Sequence, residues 1–180
     1  MPIRRDIAGH FLLLVALVGV SSSSDAARKS QEDDIRQAVF LYQFEHNASG
    51  GKNHAHDYFL SIVEDDRDAF GHDLPDPFMA RFAGHKPPVR KFSDCRVKND
   101  GEVVRKHSGK PGLLFMTGSI TWLSDTTVTV NGGYYEGNVS SSGNVYTVSK
   151  ENGTWKVVKD QMTVISQLIA TPIPKQDCKI

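Results

Sequence analysis

The stretch "NVYTVSKENGTWKVVKDQMTVIS", residues 144–166, predicts two β-strands joined by a tight turn. Asn152-Gly153 separates two runs that are rich in β-branched and aromatic residues, and this dipeptide is the strongest short hairpin signal in the chain. Upstream, residues 113–125 and 126–137 predict two more long strands, and residues 89–97 predict a shorter one. The C-terminal half of the chain therefore predicts an antiparallel meander.

The N-terminal half predicts helices. A first helix is expected to begin near Ser30, a hydroxyl cap with Asp33 three residues further on, after a polar and flexible segment at 27–34. Its apolar residues recur at helical spacing and are Ile35, Ala38, Leu41, Val39, Tyr42 and Phe44. Asp76-Pro77 predicts the start of a second, short helix with Asp76 as the cap, whereas residues 57–63 fit either a strand or a helix.

Helices followed by a meander predict an α+β fold, with N-terminal helices packed on a strongly curved antiparallel sheet. The length of 180 residues predicts one domain. Lys plus Arg and Asp plus Glu both number 21, so the formal net charge is zero. This balance argues against a nucleic-acid partner, which needs a basic face, and against a polybasic membrane-surface protein.

The N-terminus predicts an export signal. Arg4 and Arg5 precede the apolar run "FLLLVALVGV" at 11–20, and a serine-rich stretch of small residues follows. The run is shorter than the roughly 20 residues that span a bilayer. We therefore expect a signal peptide at 1–26, cleaved near Ala26, and an exported protein, periplasmic or secreted, with no membrane span after cleavage. A retained signal anchor is the alternative.

Residues 27–170 then form the single predicted domain, and the proline-broken residues 171–180 form an irregular C-terminal tail. The two cysteines, Cys95 and Cys178, could pair in an oxidising compartment and hold this tail. Two free thiols are the alternative, because spacing alone does not fix the geometry of a disulfide.

The order of elements, and the closing stretch from "YYEGNVSSSGNVY" to "DQMTVIS", resemble the nuclear transport factor two-like, or cystatin-like, superfamily of cone-shaped domains. The stretch also resembles small exported bacterial proteins of unassigned function. The superfamily contains ketosteroid isomerases, dehydratases and polyketide cyclases besides many binding domains, so the fold does not give the function. The resemblance implies that a ligand would lie between the curved sheet and the helices.

The alternation of side chains along the strand at 126–137 predicts the first pocket candidates. Val128 and Val130 should face the core, and the same period places Tyr134 and Glu136 on that face, with Tyr135 facing out. A bulge at Gly132-Gly133 would exchange the two tyrosines. Without such a bulge, Tyr134 and Glu136 are the pocket pair, and Glu136 could act as a base and Tyr134 as a hydrogen-bond donor. The alternative is that the strand leaves the core at the glycines and both polar groups are solvated.

Three other residues complete the set of candidates. Tyr42 on the first helix and Asp160 on the last strand are loose analogues of the tyrosine and carboxylate of the isomerases that the chain resembles. Trp122 is an aromatic pocket candidate whose simpler role is sheet packing. His54 and His56 lack a third ligand marked by spacing, so no metal site is expected.

No nucleophile elbow and no glycine-rich phosphate loop occur, so no cofactor is expected. These features predict a non-catalytic domain that binds a small apolar molecule or a partner protein. A small lyase, isomerase or hydrolase that uses Glu136 or Asp160 as its base is the alternative. A structural module with a filled interior is a third reading, and a homodimer through the outer sheet face stays open.

Overall fold

The computed structural model describes residues 21–47, 54–64, 70–138 and 140–165. The two helices are α1 (Ser21–His46) and α2 (Asp76–Met79), and single 3₁₀ turns cover Ala80–Phe82 and Phe92–Asp94. The strands are β1 (Asp57–Ile62), β2 (Val89–Lys91), β3 (Cys95–Val97), β4 (Val103–Arg105), β5 (Gly112–Ser124), β6 (Thr127–Gly137), β7 (Ser140–Glu151) and β8 (Thr154–Ile165). The predicted α+β class is confirmed.

Six strands form one sheet in the order β2-β1-β5-β6-β7-β8, and β3 pairs with β4 in a separate hairpin. Strands β5 to β8 pair with one another in antiparallel fashion, as the meander predicts. The expectation of a wholly antiparallel sheet is wrong, because β1 pairs in parallel with both β2 and β5. Residues 57–63, which fitted a strand or a helix, form β1 up to Ile62.

The two faces of the sheet carry different clusters. On the helix side, Phe40 and Phe44 of α1 pack with Phe115 of β5 and with Phe78 and Phe82. Further along the same side, residues of α1 contact the meander strands in a second cluster made of Ile35, Val39, Val128, Val130, Tyr146, Val148 and Trp155. The far side carries a third cluster, made of Phe59, Phe70, Phe92, Cys95, Val103, Leu114 and Tyr135. The sheet is therefore covered on both faces over β1, β5 and part of β6.

Several helix boundaries differ from those predicted. Helix α1 already includes residues 27–34, so the expectation of a flexible segment there is wrong, and the predicted cleavage position near Ala26 lies within this helix. Leu41, predicted on the apolar stripe, is 42% exposed, whereas Phe40 is fully buried. Asp76 is the first residue of α2 and pairs with Lys91, while Pro75 occupies the cap position.

Some predictions lie outside the described residues. These are most of the predicted signal peptide, the tail at 171–180 and Cys178. Cys95 is completely buried in the far-side cluster, and its pairing with Cys178 stays a prediction. Among the described residues, neither helix has the length and apolar composition that crossing a membrane requires.

Candidate functional site

The buried apolar face of α1 continues into two polar side chains at the C-terminal end of the helix. Ile35, Val39, Gln43 and Asn47 follow one another at intervals of four, which places them on one face of the helix. The first three are 0% exposed and Asn47 is 6% exposed. The helix therefore buries two amide side chains against the sheet, where a buried polar group is costly unless it is hydrogen-bonded.

Gln43 satisfies this requirement through the backbone of two strands. Its Nε2 donates to the carbonyl oxygens of Met116 (3.0 Å) and Gly133 (3.2 Å) and lies 3.3 Å from Tyr146 Oη. Asn47 Nδ2 donates to the same Tyr146 hydroxyl at 2.8 Å. Gln43 Oε1 and Asn47 Oδ1 are buried and have no hydrogen-bond partner among the described residues. The two amides thus hold the tyrosine and the strand backbone from the helix side.

Tyr146 lies at the centre of this arrangement and is fully buried. Burial raises the pKa of its phenol well above the usual value, and the nearby Asp160 and Tyr42 raise it further. The hydrogen bonds from Gln43 and Asn47 act in the opposite direction. Tyr146 is therefore a neutral hydroxyl at physiological pH and a poor base.

A short polar chain continues from Ser142 to Asp160. Ser142 Oγ donates to Asn144 Oδ1 at 2.6 Å, and Asn144 Nδ2 donates to Asp160 Oδ1 at 2.6 Å. Tyr42 lies edge-on to Tyr146, with 5.9 Å between ring centroids, and partial burial together with Asp160 raises the pKa of its phenol. Tyr42 and Asp160, both predicted pocket residues, are therefore neighbours on the helix side.

Tyr134 and Glu136 do not form the predicted pair. Val128 and Val130 are buried as predicted, and β6 and β7 stay in register through Gly132 and Gly133, so Tyr134 stays on the helix side beside Phe115. The register shifts instead between Tyr135 and Gly137, where β6 carries one extra residue. Glu136 lies in this bulge, and its Oε2 accepts a hydrogen bond from Ser140 Oγ at 2.8 Å. The bulge ends the alternation that placed Glu136 on the face of Tyr134.

Tyr135 points away from the helix, as the alternation predicts, and the face of the sheet that it occupies is buried here. Tyr135 is only 6% exposed, because the far-side cluster covers this part of the sheet. Its ring lies 5.2 Å from that of Phe70, and its hydroxyl donates to Asn138 Oδ1 at 2.9 Å. Tyr135 is a core residue.

Trp122 packs against the same second cluster as Tyr42, near the β5–β6 turn. Its ring packs edge-on to Trp155 at 5.8 Å, and the guanidinium of Arg28 lies 5.3 Å from its centroid. The indole Nε1 atoms of both tryptophans are buried without a hydrogen-bond partner in the described part of the chain. The five predicted candidates therefore do not form one site: Tyr134 lies by the first cluster, Glu136 lies in the bulge, and the others lie by the second cluster.

In the segment that contains the two histidines, residues 54–57, one residue has a structural role. His54 and His56 are exposed, while Asp57 is buried and forms an ion pair with Arg90. Within the described ranges, no group of three or more His, Cys, Asp or Glu side chains comes together in a metal-like arrangement.

A cleft of about 250 Å³ lies beside the point where β5 and β6 shift register. Four glycines line it: Gly118, Gly132, Gly133 and Gly143. A Cβ atom at Gly132 would lie 2.6 Å from the carbonyl oxygen of Met116 and 3.2 Å from Gln43 Nε2, and one at Gly133 would collide with the carbonyl oxygen of Ser142. Close approach of neighbouring groups therefore requires these two glycines, and it leaves a floor without side chains. We call this feature the glycine cleft.

The rim of the glycine cleft combines apolar and polar side chains. Val63 and Met116 supply apolar surface, and Met116 also packs against the far-side cluster. Asn131 and Ser119 are exposed and joined by a hydrogen bond from Asn131 Nδ2 to Ser119 Oγ at 3.0 Å. Glu64, just beyond the end of β1, is the charged residue of the lining. The cleft can therefore hold a small molecule with an apolar body and a polar group.

Two side chains of α1 brace the strands that form the cleft. Gln43 holds the carbonyl groups of Met116 and Gly133, both of which line it. Arg36 donates to Thr117 Oγ1 at 3.3 Å and to the carbonyl oxygen of Gly118 at 2.6 Å. Burial lowers the pKa of the Arg36 guanidinium, and nearby carboxylates oppose that shift. The backbone of the cleft is thus fixed from behind by buried donors.

Neither the buried amides nor the cleft was predicted from the sequence. Gln43 and Asn47 continue the four-residue spacing of Ile35 and Val39, and this spacing is the signal that could have placed them on the buried face. The glycine cleft had no comparable signal, because it depends on where β1 ends beside β5.

Comparison with known proteins gives no further guide. No protein family, no curated protein and no solved structure matches this chain. The resemblance to cone-shaped domains therefore stays a prediction from the sequence.

Proposed function

We propose that the protein is an exported, non-catalytic binding domain that carries a small molecule in the glycine cleft. The observation that supports this proposal is a cleft whose side-chain-free floor is held by the buried amide of Gln43. Binding sites gain affinity when their groups are already in place before the ligand arrives. Export rests on the N-terminal sequence, and the cone-like shape rests on the resemblance described above.

The size of the cleft limits the ligand. A volume of about 250 Å³ equals the liquid volume of about eight water molecules and lies just below the usual range for drug-sized ligands. The ligand is therefore a compact molecule, with its apolar part against Val63 and Met116.

Acid–base catalysis has weaker support. Asp160 pairs with Tyr146 across β7 and β8, whereas Tyr134 pairs with Ser142. Four residues of β7 separate these two positions, which corresponds to about 13 Å along a strand. A base at Asp160 and a donor at Tyr134 would therefore act on different parts of a small substrate. Glu136 is close to Tyr134 in sequence but is turned towards Ser140 by its hydrogen bond.

A protein partner is the second candidate, favoured by three exposed apolar side chains, two of which are on the edge strand β8. Leu123 is 61% exposed, and Val158 and Met162 of the edge strand β8 are 51% and 54% exposed. Exposed apolar residues that form one patch are a common mark of a protein interface.

Native mass spectrometry of the chain exported with its own leader tests the proposal. We expect a small excess mass that is lost on denaturation. Asn131→Phe should remove this mass, because Asn131 is on the rim and a strand tolerates an aromatic residue. Thr121→Phe is the matched control, since Thr121 is exposed on the same sheet beyond the cleft. A bare wild-type mass, an excess of protein size, or an excess retained by Asn131→Phe would each contradict the proposal.

A further inference from the structure

Two polar side chains on the rim of the glycine cleft are open to a ligand. Glu64 contributes an exposed carboxylate, which only accepts hydrogen bonds. One N–H of Asn131 Nδ2 donates to Ser119 Oγ, which leaves Asn131 with its acceptor Oδ1 and one further N–H for a ligand. A ligand that donates hydrogen bonds matches these groups better than one that accepts them.

The cation nearest to the cleft is already engaged. Arg36 donates to Thr117 Oγ1 and the carbonyl oxygen of Gly118, and the carboxylates of Glu32, Asp33 and Glu64 lie near it. Glu32 also pairs with Arg28 at 3.6 Å. Two guanidinium groups thus face three carboxylates in this part of the described chain. Of these three carboxylates, that of Glu64 lines the cleft.

The apolar part of the cleft has the shape for a flat group. At Gly132 and Gly133 the strand backbone is not covered by side chains of its own, and Val63 and Met116 line the cleft next to this backbone. Glycine within a strand is a usual place for the close approach of a ligand to the backbone. A small ring or a short aliphatic chain would therefore lie on the glycines, with its polar end at the rim.

We propose that the ligand is a small primary amine with an apolar body, whose ammonium group binds the Glu64 carboxylate and Asn131 Oδ1. This inference rests on the proposed function, because it assigns a chemical class to the ligand of the same cleft. An ammonium group supplies three donors and one positive charge, which matches the carboxylate of Glu64 and the amide oxygen of Asn131. A carboxylic acid of the same shape would place like charges together at Glu64.

Three probes with one skeleton test the inference: benzylamine, benzyl alcohol and benzoate. Each is titrated into the isotope-labelled mature chain, and the backbone amide resonances of Ser119, Asn131 and Gly133 report binding at the cleft. We expect benzylamine to bind about two- to fivefold more tightly than benzyl alcohol, which is the range that exposed ion pairs give. Benzoate should bind more weakly than either, and the advantage of the amine should fall at high salt.

The variant Glu64→Gln should remove the advantage of benzylamine and leave benzyl alcohol unchanged. Glu151→Gln is the matched control, because Glu151 is exposed in the β7–β8 hairpin, outside the cleft lining. Equal binding of amine and alcohol, or an amine advantage that survives Glu64→Gln, would overturn the amine assignment while the cleft stays a binding site. No shift of the cleft resonances with any probe would instead count against the proposed function itself.

Discussion

Gln43 connects the buried face of α1 with the backbone of the glycine cleft. Its amide donates to carbonyl oxygens of β5 and β6 and lies against the hydroxyl of Tyr146. A buried carbonyl group that loses its donor costs about 1–3 kcal/mol. Since two carbonyl groups accept hydrogen bonds from one side chain, this residue should contribute to stability as well as to the shape of the cleft.

We predict that Gln43→Met lowers the free energy of unfolding by about 2–4 kcal/mol, because methionine fills the space but donates no hydrogen bond. Urea unfolding followed by circular dichroism measures the change. Gln37→Met is the control, since the amide of Gln37 makes an exposed contact with Arg81. That control should stay within about 0.5 kcal/mol of wild type. Equal losses in the two variants would show that the Gln43 amide does not hold the strands.

At the residue scale, regular alternation was predictable and its interruptions were not. The burial of Val128 and Val130 followed from the period of a strand, and the opposite directions of Tyr134 and Tyr135 followed from the same period. The position of Glu136 was predicted wrongly, because a bulge depends on how the strand pairs with its partner. Gln43 was missed because a glutamine normally lies on the surface, and only its buried neighbours reveal its position.

The β7–β8 hairpin is an element whose turn is determined by the local sequence. Asn152 and Gly153 have φ angles of 49° and 82°, both in the left-handed region that a two-residue primed turn needs. Glycine adopts this conformation without a Cβ penalty. The turn therefore fixes the register of β7 and β8 as far as the pair Val148 and Val157. Beyond that pair β8 carries one extra residue, which places Asp160 opposite Tyr146.

We predict that Gly153→Ala lowers the free energy of unfolding by about 1–2 kcal/mol, the cost of placing an L-residue with a Cβ in this region. Gly137→Ala is the matched control, because an added Cβ at Gly137 would meet its nearest neighbour at an ordinary 3.8 Å. The control should change stability by less than about 0.5 kcal/mol. Thermal unfolding compares the two variants. A stable Gly153→Ala protein would mean that strand pairing, and not the turn, sets this register.

Elements joined by distant contacts were the hardest to predict. The parallel pairing of β1 with β5 joins residues 57–62 to residues 112–117, and no local pattern marks such a pair. Its consequence is important for the site, because the cleft forms where β1 ends and β5 continues. Local propensity predicted the strands, whereas tertiary packing determines which strands pair in the sheet.

At the scale of the whole molecule, the order of helices and strands was sufficient to predict an α+β fold. It was not sufficient to place the site. The resemblance to cone-shaped domains directs attention to the space between α1 and the sheet, where Phe40, Phe44 and Phe115 pack together and Gln43 contacts Tyr146. The glycine cleft lies instead beside Met116 and Asn131.

The most direct test of the account is a crystal structure of the exported protein, purified without denaturant. The account predicts electron density for a compact molecule in the glycine cleft, bounded by Val63, Met116 and Asn131. Density among Tyr42, Tyr146 and Asp160 on the helix side would contradict it and favour an interior pocket. A cleft closed by Met116 over Gly133 would contradict it as well.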